Sequence, residues 1–215
     1  MKMVVLAKSH KKDNYCIAGI DLDSRNWKRP ISCNTQIEDA VPKNDAFYED
    51  GSKVKIFDVV ELETLSTLPN NDIQPENVYY NEARRWKKIG QMTLRQVIDL
   101  HDFDDRSIIF YNRGRKVSQD EIRSSAHKES LLLLPIENLK IAVEIYDNYP
   151  KFYSHFDYKG VQYKRISVGD PNIRKEFKNL KAGLYTFKES AISVLSLTNP
   201  FDGDAMCYKM LAHVF

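Results

Sequence analysis

The most constraining feature of the sequence is a pair of alternating segments in its C-terminal half. Residues 151–158, KFYSHFDY, and residues 161–168, VQYKRISV, each place polar and apolar side chains in turn. Alternation with a period of two is typical of a strand with one buried face, and the dipeptide Lys159-Gly160 between the segments suits a tight turn. The pattern therefore predicts an antiparallel β-hairpin.

Short β-rich segments recur along the rest of the chain. Strands are predicted at residues 3–7, 15–22, 53–66, 78–81, 107–114, 131–146, 191–197 and 207–215. The first two of these are expected to form a hairpin across the polar loop KSHKKDN. The segment 53–66 reads as one long strand that is rich in valine and isoleucine.

Three helix starts stand between the strands. Thr93 with Gln96, and Ser118 with Glu121, have the spacing of a capping box and predict two short helices. Asp170 before a proline predicts the start of a third. The fold class is therefore mainly β with short inserted helices, without the regular βαβ alternation of a Rossmann-like sheet.

The boundary between two halves is expected near residues 128–138, after the second capped helix. The predicted domains are residues 1–134 and residues 135–215. A small β-barrel with inserted helices is compatible with each length. The expected architecture is two small β-barrels in tandem.

Charge is distributed unevenly although the formal net charge is only +2. Residues 36–82 contain 11 acidic and 3 basic side chains, whereas residues 151–188 contain 9 basic and 3 acidic ones. A basic segment of this kind can meet phosphate, and it can equally be a solvated face that balances the acidic one.

Cysteine usage and hydropathy indicate the compartment. The three cysteines form no CxxC pair, so neither a disulfide framework nor a zinc ribbon is indicated. The apolar run near the N-terminus is too short for a signal peptide, and no stretch approaches the ~20 apolar residues of a membrane span. We expect a cytoplasmic protein without a membrane partner.

Catalytic motifs are sparse. Eight glycines form neither GxxxxGK[ST] nor GxGxxG, and no nucleophile elbow is present, so no cofactor is expected. No histidine pairs with another ligand at metal spacing, so no metal is expected. Asp21, Asp23 and Glu61 with Glu63 leave a metal-dependent nuclease as an alternative.

Basic residues adjacent to aromatic ones are the remaining signal. They occur in the segments NWKRP, EARRWKKIG, FYNRGRK, VQYKRIS and CYKM. Proteins that bind single strands combine a cationic groove with aromatic faces on which bases stack. The structural alternative is that each ring points inward beside an outward charge, because neighbours on a strand face opposite sides.

The segment NWKRPIS illustrates both interpretations. Trp27 either stacks a base or closes the end of a barrel, and the second interpretation is favoured. An inward Arg29 would need a carboxylate partner, for which Asp21 and Glu61 are candidates.

The order of several motifs resembles a known family. The segments VVLAKSHK, CIAGIDL, WKRPIS, FYEDGS, KRISVGDP, SLTNPF and CYKMLA follow the pattern of a bacterial group of dual OB-fold-containing domain proteins. The resemblance implies two OB-like barrels, a presumed role in nucleic-acid binding and no catalytic residues. It makes Arg29, Asp170 and Lys209 better functional candidates than the glycines and prolines of the same motifs.

The favoured function is a non-enzymatic module that binds single-stranded DNA or RNA. The predicted contact residues are Trp27, Lys28, Arg29, Tyr111, Arg113, Tyr163, Lys164, Arg165, Asp170, Tyr208 and Lys209. The alternatives are an adaptor that binds another protein through the acidic segment 36–82, and a nuclease or nucleotide-acting enzyme that uses Asp21, Asp23, Glu61 or Asp170.

Overall fold

A computed structural model describes residues 1–11 and 13–215. The strands among them are β1 (Lys2–Lys11), β2 (Asn14–Asp21), β3 (Trp27–Ile31), β4 (Asp58–Glu61), β5 (Asn77–Tyr79), β6 (Lys87–Gln91), β7 (Lys116–Ser118), β8 (Leu131–Tyr146), β9 (Tyr149–Tyr158), β10 (Val161–Val168), β11 (Gly183–Leu197) and β12 (Met206–Val214). The helices are α1 (Leu94–Leu100), α2 (Gln119–Ser124), α3 (Pro171–Phe177) and a 3-10 turn at Thr35–Ile37.

The chain divides into two compact units. The first comprises Met1–Asn71 with Glu76–Asp102, and the second comprises Asp72–Pro75 with Phe103–Phe215. The division near residue 102 differs from the boundary expected near residue 134. The reason is β7, which pairs with β12 and so joins residues 103–134 to the second unit.

The first unit contains a five-stranded barrel, here called the N-terminal barrel. β1 pairs with β2 and β4, β2 pairs with β3, and β3 runs parallel to β5. The ring closes where an antiparallel bridge joins Thr64, just beyond β4, to Tyr80, just beyond β5. β6 adds a strand outside this ring by pairing with β4.

Aromatic side chains from isolated bridges beside the strands fill much of the N-terminal barrel. Tyr80 and Trp86 meet edge to face inside it, with ring centroids 5.7 Å apart. The buried Tyr48 hydroxyl donates to one oxygen of the buried Asp58 carboxylate at 2.9 Å, and the Lys88 ammonium lies 2.6 Å from the other oxygen.

The second unit repeats the same connectivity in the C-terminal barrel. β8 pairs with β9 and β11, β9 pairs with β10, β10 runs parallel to β12, and β12 pairs with β11. Each barrel therefore closes its first, second, third, fifth and fourth strands in that order. In the C-terminal barrel α3 bridges the third and fourth strands, whereas a 3-10 turn occupies this connection in the N-terminal barrel. Two OB-like barrels and the mainly β fold class are thus confirmed.

The predicted hairpin of residues 151–168 is confirmed. Its turn places Lys159 at φ 48° and Gly160 at φ 74°, the left-handed values that a tight two-residue hairpin requires. Phe156 and Tyr163 stack inside the barrel with centroids 5.7 Å apart. Burying rings of this size contributes about 1.5–3 kcal/mol each.

The predicted helix starts are confirmed as well. Both capping boxes are complete, with the Gln96 and Glu121 side chains returning to the backbone of their N-cap residues. Asp170 caps α3 with a proline at its first position.

Several strand predictions were wrong, including residues 191–197, whose strand β11 begins at Gly183. Of the predicted loop KSHKKDN, residues 8–11 belong to β1 and residue 14 to β2, because the two strands pair as far as Lys11 and Asn14. The segment 53–66 keeps only the short β4, since Phe57 adopts φ 70° and interrupts the extended chain. Residues 107–114 are not a strand; Phe110 at φ 52° turns the chain there.

None of the helices in the described part of the chain is long and apolar enough to cross a membrane.

Candidate nucleic-acid interface

The outer surface of the C-terminal barrel carries a face built by β8, β9 and β10, here called the strand face. β9 turns Phe152, Phe156 and Tyr158 into the core, so Lys151, Tyr153, His155 and Asp157 point outward. The alternation that produced the hairpin prediction is thus also the reason why these four side chains share one side.

A bulge in β10 enriches this face in positive charge. The pairing with β9 shifts between Tyr163 and Ile166, both of which point into the core. The two residues between them, Lys164 and Arg165, therefore both lie on the outer side, and Arg165 takes the left-handed φ of 57° that absorbs the extra residue.

β8 supplies the other side of the strand face. Ile141 and Val143 point inward, which leaves Lys140, Ala142 and Glu144 outward. The register places Lys140 opposite His155 and Ala142 opposite Tyr153. The face thus has an aromatic centre with lysines on both sides.

Arg165 is held flat above the centre of the face. Its guanidinium carbon lies 4.5 Å from the centroid of the Tyr153 ring, and its head pairs with the Glu144 carboxylate. The Tyr146 hydroxyl donates to the other Glu144 oxygen at 2.6 Å. Burial raises the pKa of Glu144, but these hydrogen bonds outweigh it and keep the pKa below its usual value. The carboxylate is therefore ionised at neutral pH.

His155 lies beside these cations in its neutral form. Burial, together with the charges of Lys164 and Arg165, lowers its pKa below the usual 6.5. Its Nε2 atom is shielded from solvent and has no hydrogen-bond partner among the described residues. Because this nitrogen is shielded, a ligand on the strand face meets the His155 ring and not its Nε2 atom.

The segment NWKRPIS lies in the N-terminal barrel, where the structure buries two of its predicted contact residues. The Trp27 ring is 8% exposed and meets the His101 ring edge to face, with centroids 6.1 Å apart. The ring is therefore buried and is not an exposed stacking platform. Lys28 remains half-exposed.

Arg29 is an interior residue that joins two strands. It is 4% exposed and donates from Nη1 to the Asn77 side chain at 3.1 Å, across the parallel pair of β3 and β5. Burial lowers its pKa, and the charge of Glu76 opposes that effect. The partners are thus Asn77 and Glu76, not Asp21 or Glu61 as expected from the sequence.

Four predicted contact residues meet around the irregular loop of residues 107–114. The Lys209 ammonium is 1% exposed and donates to the backbone oxygens of Ile109, at 2.6 Å, and Asn112. Burial lowers the pKa of Lys209 to about 7. The Tyr163 ring is buried beneath this ammonium, the Tyr111 hydroxyl donates to a backbone oxygen, and only Arg113 is exposed.

Asp170 and Tyr208 have structural contacts of their own. One Asp170 oxygen accepts the backbone N–H of Asn172 at 2.8 Å, and the other meets His213 Nδ1 at 2.9 Å and the Val214 N–H at 3.1 Å. Asp170 therefore ties α3 to β12. The half-exposed Tyr208 donates to Asp204 at 2.7 Å.

The acidic residues considered for metal chemistry do not converge. Asp21 accepts from the Ser24 hydroxyl at 2.6 Å and so closes a turn, while Glu61 lies 4.0 Å from Lys2 at the surface. Among residues 1–11 and 13–215, no three His, Cys, Asp or Glu side chains are grouped so as to hold a metal ion.

Of the residues predicted from sequence, the structure brings Lys164 and Arg165 together on the strand face. The sequence interpretation did not select Lys140, Lys151, Tyr153 or His155. The signal that would have found the last three was present, because Lys151, Tyr153 and His155 occupy alternate positions of the same predicted strand.

Comparisons with known proteins agree with the fold. No curated protein and no solved structure matches the chain. A family model described as the dual OB-containing domain matches residues 1–214. The match spans both barrels, and their shared strand order supplies an independent structural reason for it. The chain therefore belongs to the dual OB-containing domain family.

Proposed function

We propose that the chain is a non-enzymatic module that binds single-stranded nucleic acid on the strand face of its C-terminal barrel. The observation that carries the proposal is Arg165 stacked on Tyr153 with Lys164 beside it, on the second and third strands of an OB barrel. The outer face of these two strands is where OB folds commonly take oligonucleotides.

The chemistry of the face suits a strand of phosphates and bases. Lys140, Lys151 and Lys164 can pair with phosphates around the aromatic centre, and Tyr153 offers a ring to a base when Arg165 swings away from it. Stacking tolerates any base, since every base has a π-face. The charge surplus of residues 151–188 supports the same assignment.

Fluorescence anisotropy with labelled oligothymidine, oligouridine and a DNA duplex tests the proposal. We expect binding to single strands that weakens as salt rises, with a slope of about 0.7 in log K per log salt for each phosphate contact. Tyr153→Ala should weaken binding about tenfold at any salt, because one stacked base is worth about 1–3 kcal/mol. Lys164→Ala should weaken it less and reduce the salt slope.

The matched control is Lys175→Ala. Lys175 is an exposed lysine on α3, outside the strand face, and its loss removes the same charge. If Lys175→Ala lowers affinity as much as Lys164→Ala, the protein attracts nucleic acid only through its overall charge. If the folded wild type binds none of the three probes, the proposal fails and a protein partner becomes the better hypothesis.

A further inference from the structure

A groove borders the strand face on the side of β11. It has a volume of about 530 Å³ and is lined by Ala142, Glu144, Tyr146, His155 and Leu184, among other residues. Ala142 lies directly opposite Leu184 in the pairing of β8 with β11. Because Ala142 has a small side chain, the sheet surface is depressed at this point, between larger neighbours on either side.

The walls of the groove are apolar and exposed. The Leu184 side chain is 55% exposed and Tyr146 is 44% exposed, so both present apolar surface to the groove. Small-molecule sites commonly measure about 300–1,000 Å³ and are mostly apolar with a few polar groups. The groove has a comparable volume and mostly apolar walls, but it is an open depression in the sheet surface and not an enclosed cavity.

One charged group, the Glu144 carboxylate, determines which ligand atoms the groove favours. The Glu144 carboxylate is an acceptor only, and each oxygen keeps lone-pair capacity beyond its bonds to Arg165 and Tyr146. The neutral His155 also lines the groove, but its Nε2 atom is shielded from solvent. A carboxylate in this position repels phosphate and carboxylate groups and attracts N–H donors.

We propose that this groove holds one unstacked nucleobase of a strand bound along the strand face, and that Glu144 selects a base whose edge carries N–H donors, guanine above all. The inference rests on the proposed function, because the cations next to the groove are what bring the strand to it. Guanine presents two adjacent donors, N1–H and the N2 amino group, to the two carboxylate oxygens. Thymine and uracil present a single N–H between two carbonyls, which the carboxylate repels.

The assignment to a base follows from the charges around the groove. An apolar peptide side chain would fill the volume but would offer no N–H donor to the remaining lone pairs of the Glu144 carboxylate. A free phosphate would face the Glu144 charge. A planar ring with N–H donors meets the apolar walls and the acceptor together, and the flanking cations Lys140 and Lys151 are placed for the phosphates beside it.

The test compares two probes on the full chain, labelled oligothymidine and the same oligothymidine with one central guanine. We expect the wild type to bind the guanine probe about tenfold more tightly, in line with one good bidentate contact to a base. Glu144→Gln, which is isosteric but offers one donor and one acceptor, should reduce this ratio to near one while oligothymidine still binds. Leu184→Ala, at a half-exposed site that tolerates truncation, should also reduce the ratio.

The control is Glu137→Gln, which removes an exposed carboxylate from the same strand outside the groove. The guanine preference should survive it. Equal binding of both probes by the wild type would overturn the base site and leave the proposed function standing. A preference unchanged in Glu144→Gln would show that the carboxylate does not select the base. Loss of all binding by the wild type would overturn both proposals.

Discussion

Replacing Gly19 by alanine should destabilise the N-terminal barrel severely. A Cβ at this position would lie 2.0 Å from the backbone oxygen of Val4 and 3.2 Å from the Cα of Val5. Since Cβ atoms essentially never approach heavy atoms closer than 3.0 Å, β1 would have to move back by at least the remaining 1.0 Å. The obstacle is backbone, which cannot rotate away as a side chain would.

The shift of β1 would disturb its pairing with β2. Val4 and Val5 face Ile20 and Gly19 across the pairing of β1 with β2, next to a bulge in β1. Overpacking costs about 1–3 kcal/mol and more where backbone must shift, so we expect a loss of about 3 kcal/mol. At a slope of about 1.5 kcal/mol per molar urea, the midpoint of unfolding should fall by about 2 M.

Tryptophan fluorescence during urea unfolding is the appropriate assay. Trp27 and Trp86 are the chain's two tryptophans, and both belong to the first unit. The signal therefore follows the N-terminal barrel even if the second unit unfolds separately, in which case a single transition would not describe the whole chain.

Gly90→Ala provides the matched control. Gly90 lies on β6, the outermost strand of the same sheet, and a Cβ there would have Val59 Cβ as its nearest neighbour at 3.8 Å, an ordinary contact. Its stability should stay within about 0.5 kcal/mol of the wild type. If Gly19→Ala unfolds at the same urea concentration as Gly90→Ala, the close approach of β1 to β2 does not exist and the argument fails.

Two further predictions concern predicted contact residues that the structure buries. The pKa of Lys209 is lowered from 10.5 to about 7 on folding. Between these pH values the unfolded chain binds more protons than the folded chain, so the free energy of unfolding should rise with pH across that window. Urea midpoints measured at both ends of the window should differ less for Lys209→Met than for the wild type, and an equal rise in the variant would exclude Lys209 as the source. Asp170→Ala removes the cap of α3 and the contacts with His213 and Val214, so it should lower the free energy of unfolding by about 2 kcal/mol. At temperatures below the melting transition, the affinity for oligonucleotides should stay unchanged. A large loss of affinity with normal stability would make Asp170 a contact residue.

The features that the sequence predicted well are local ones. The capping boxes at Thr93 and Ser118 depend on contacts three residues apart, and the turn at Lys159-Gly160 depends on two adjacent backbone conformations. Such contacts form wherever the residues stand at the right spacing. These features can therefore be predicted from the sequence without knowing which strands pair.

The candidate site was predicted less well because adjacency in sequence is not adjacency in space. Tyr163 and Lys164 are neighbours in the chain, but the ring points into the core and the ammonium points outward. Conversely, Arg165 and Tyr153 lie twelve positions apart and stack on one another. Choosing basic residues next to aromatic ones in the sequence therefore selected pairs whose side chains point to opposite sides of the sheet.

Burial of polar groups was the other source of error. The family resemblance makes Arg29 and Lys209 functional candidates, but the structure gives both of them buried structural roles. These roles depend on distant segments: Asn77 accepts from Arg29 across the parallel strand pair, and the carbonyls of residues 109 and 112 accept from Lys209. A local sequence pattern does not predict a hydrogen-bond partner that lies dozens of residues away.

The sequence by itself determined that this protein is a mainly β chain with short helices at defined starts, because side-chain periodicity and capping act within a few residues. Its motifs also indicated two OB-like barrels. Only the tertiary structure decided where the units divide, which of the basic and aromatic residues face water, and that Tyr153, His155, Lys164 and Arg165 share a surface. These properties depend on strand register and on the bulge in β10, and register is set by pairing between segments that are distant in the chain.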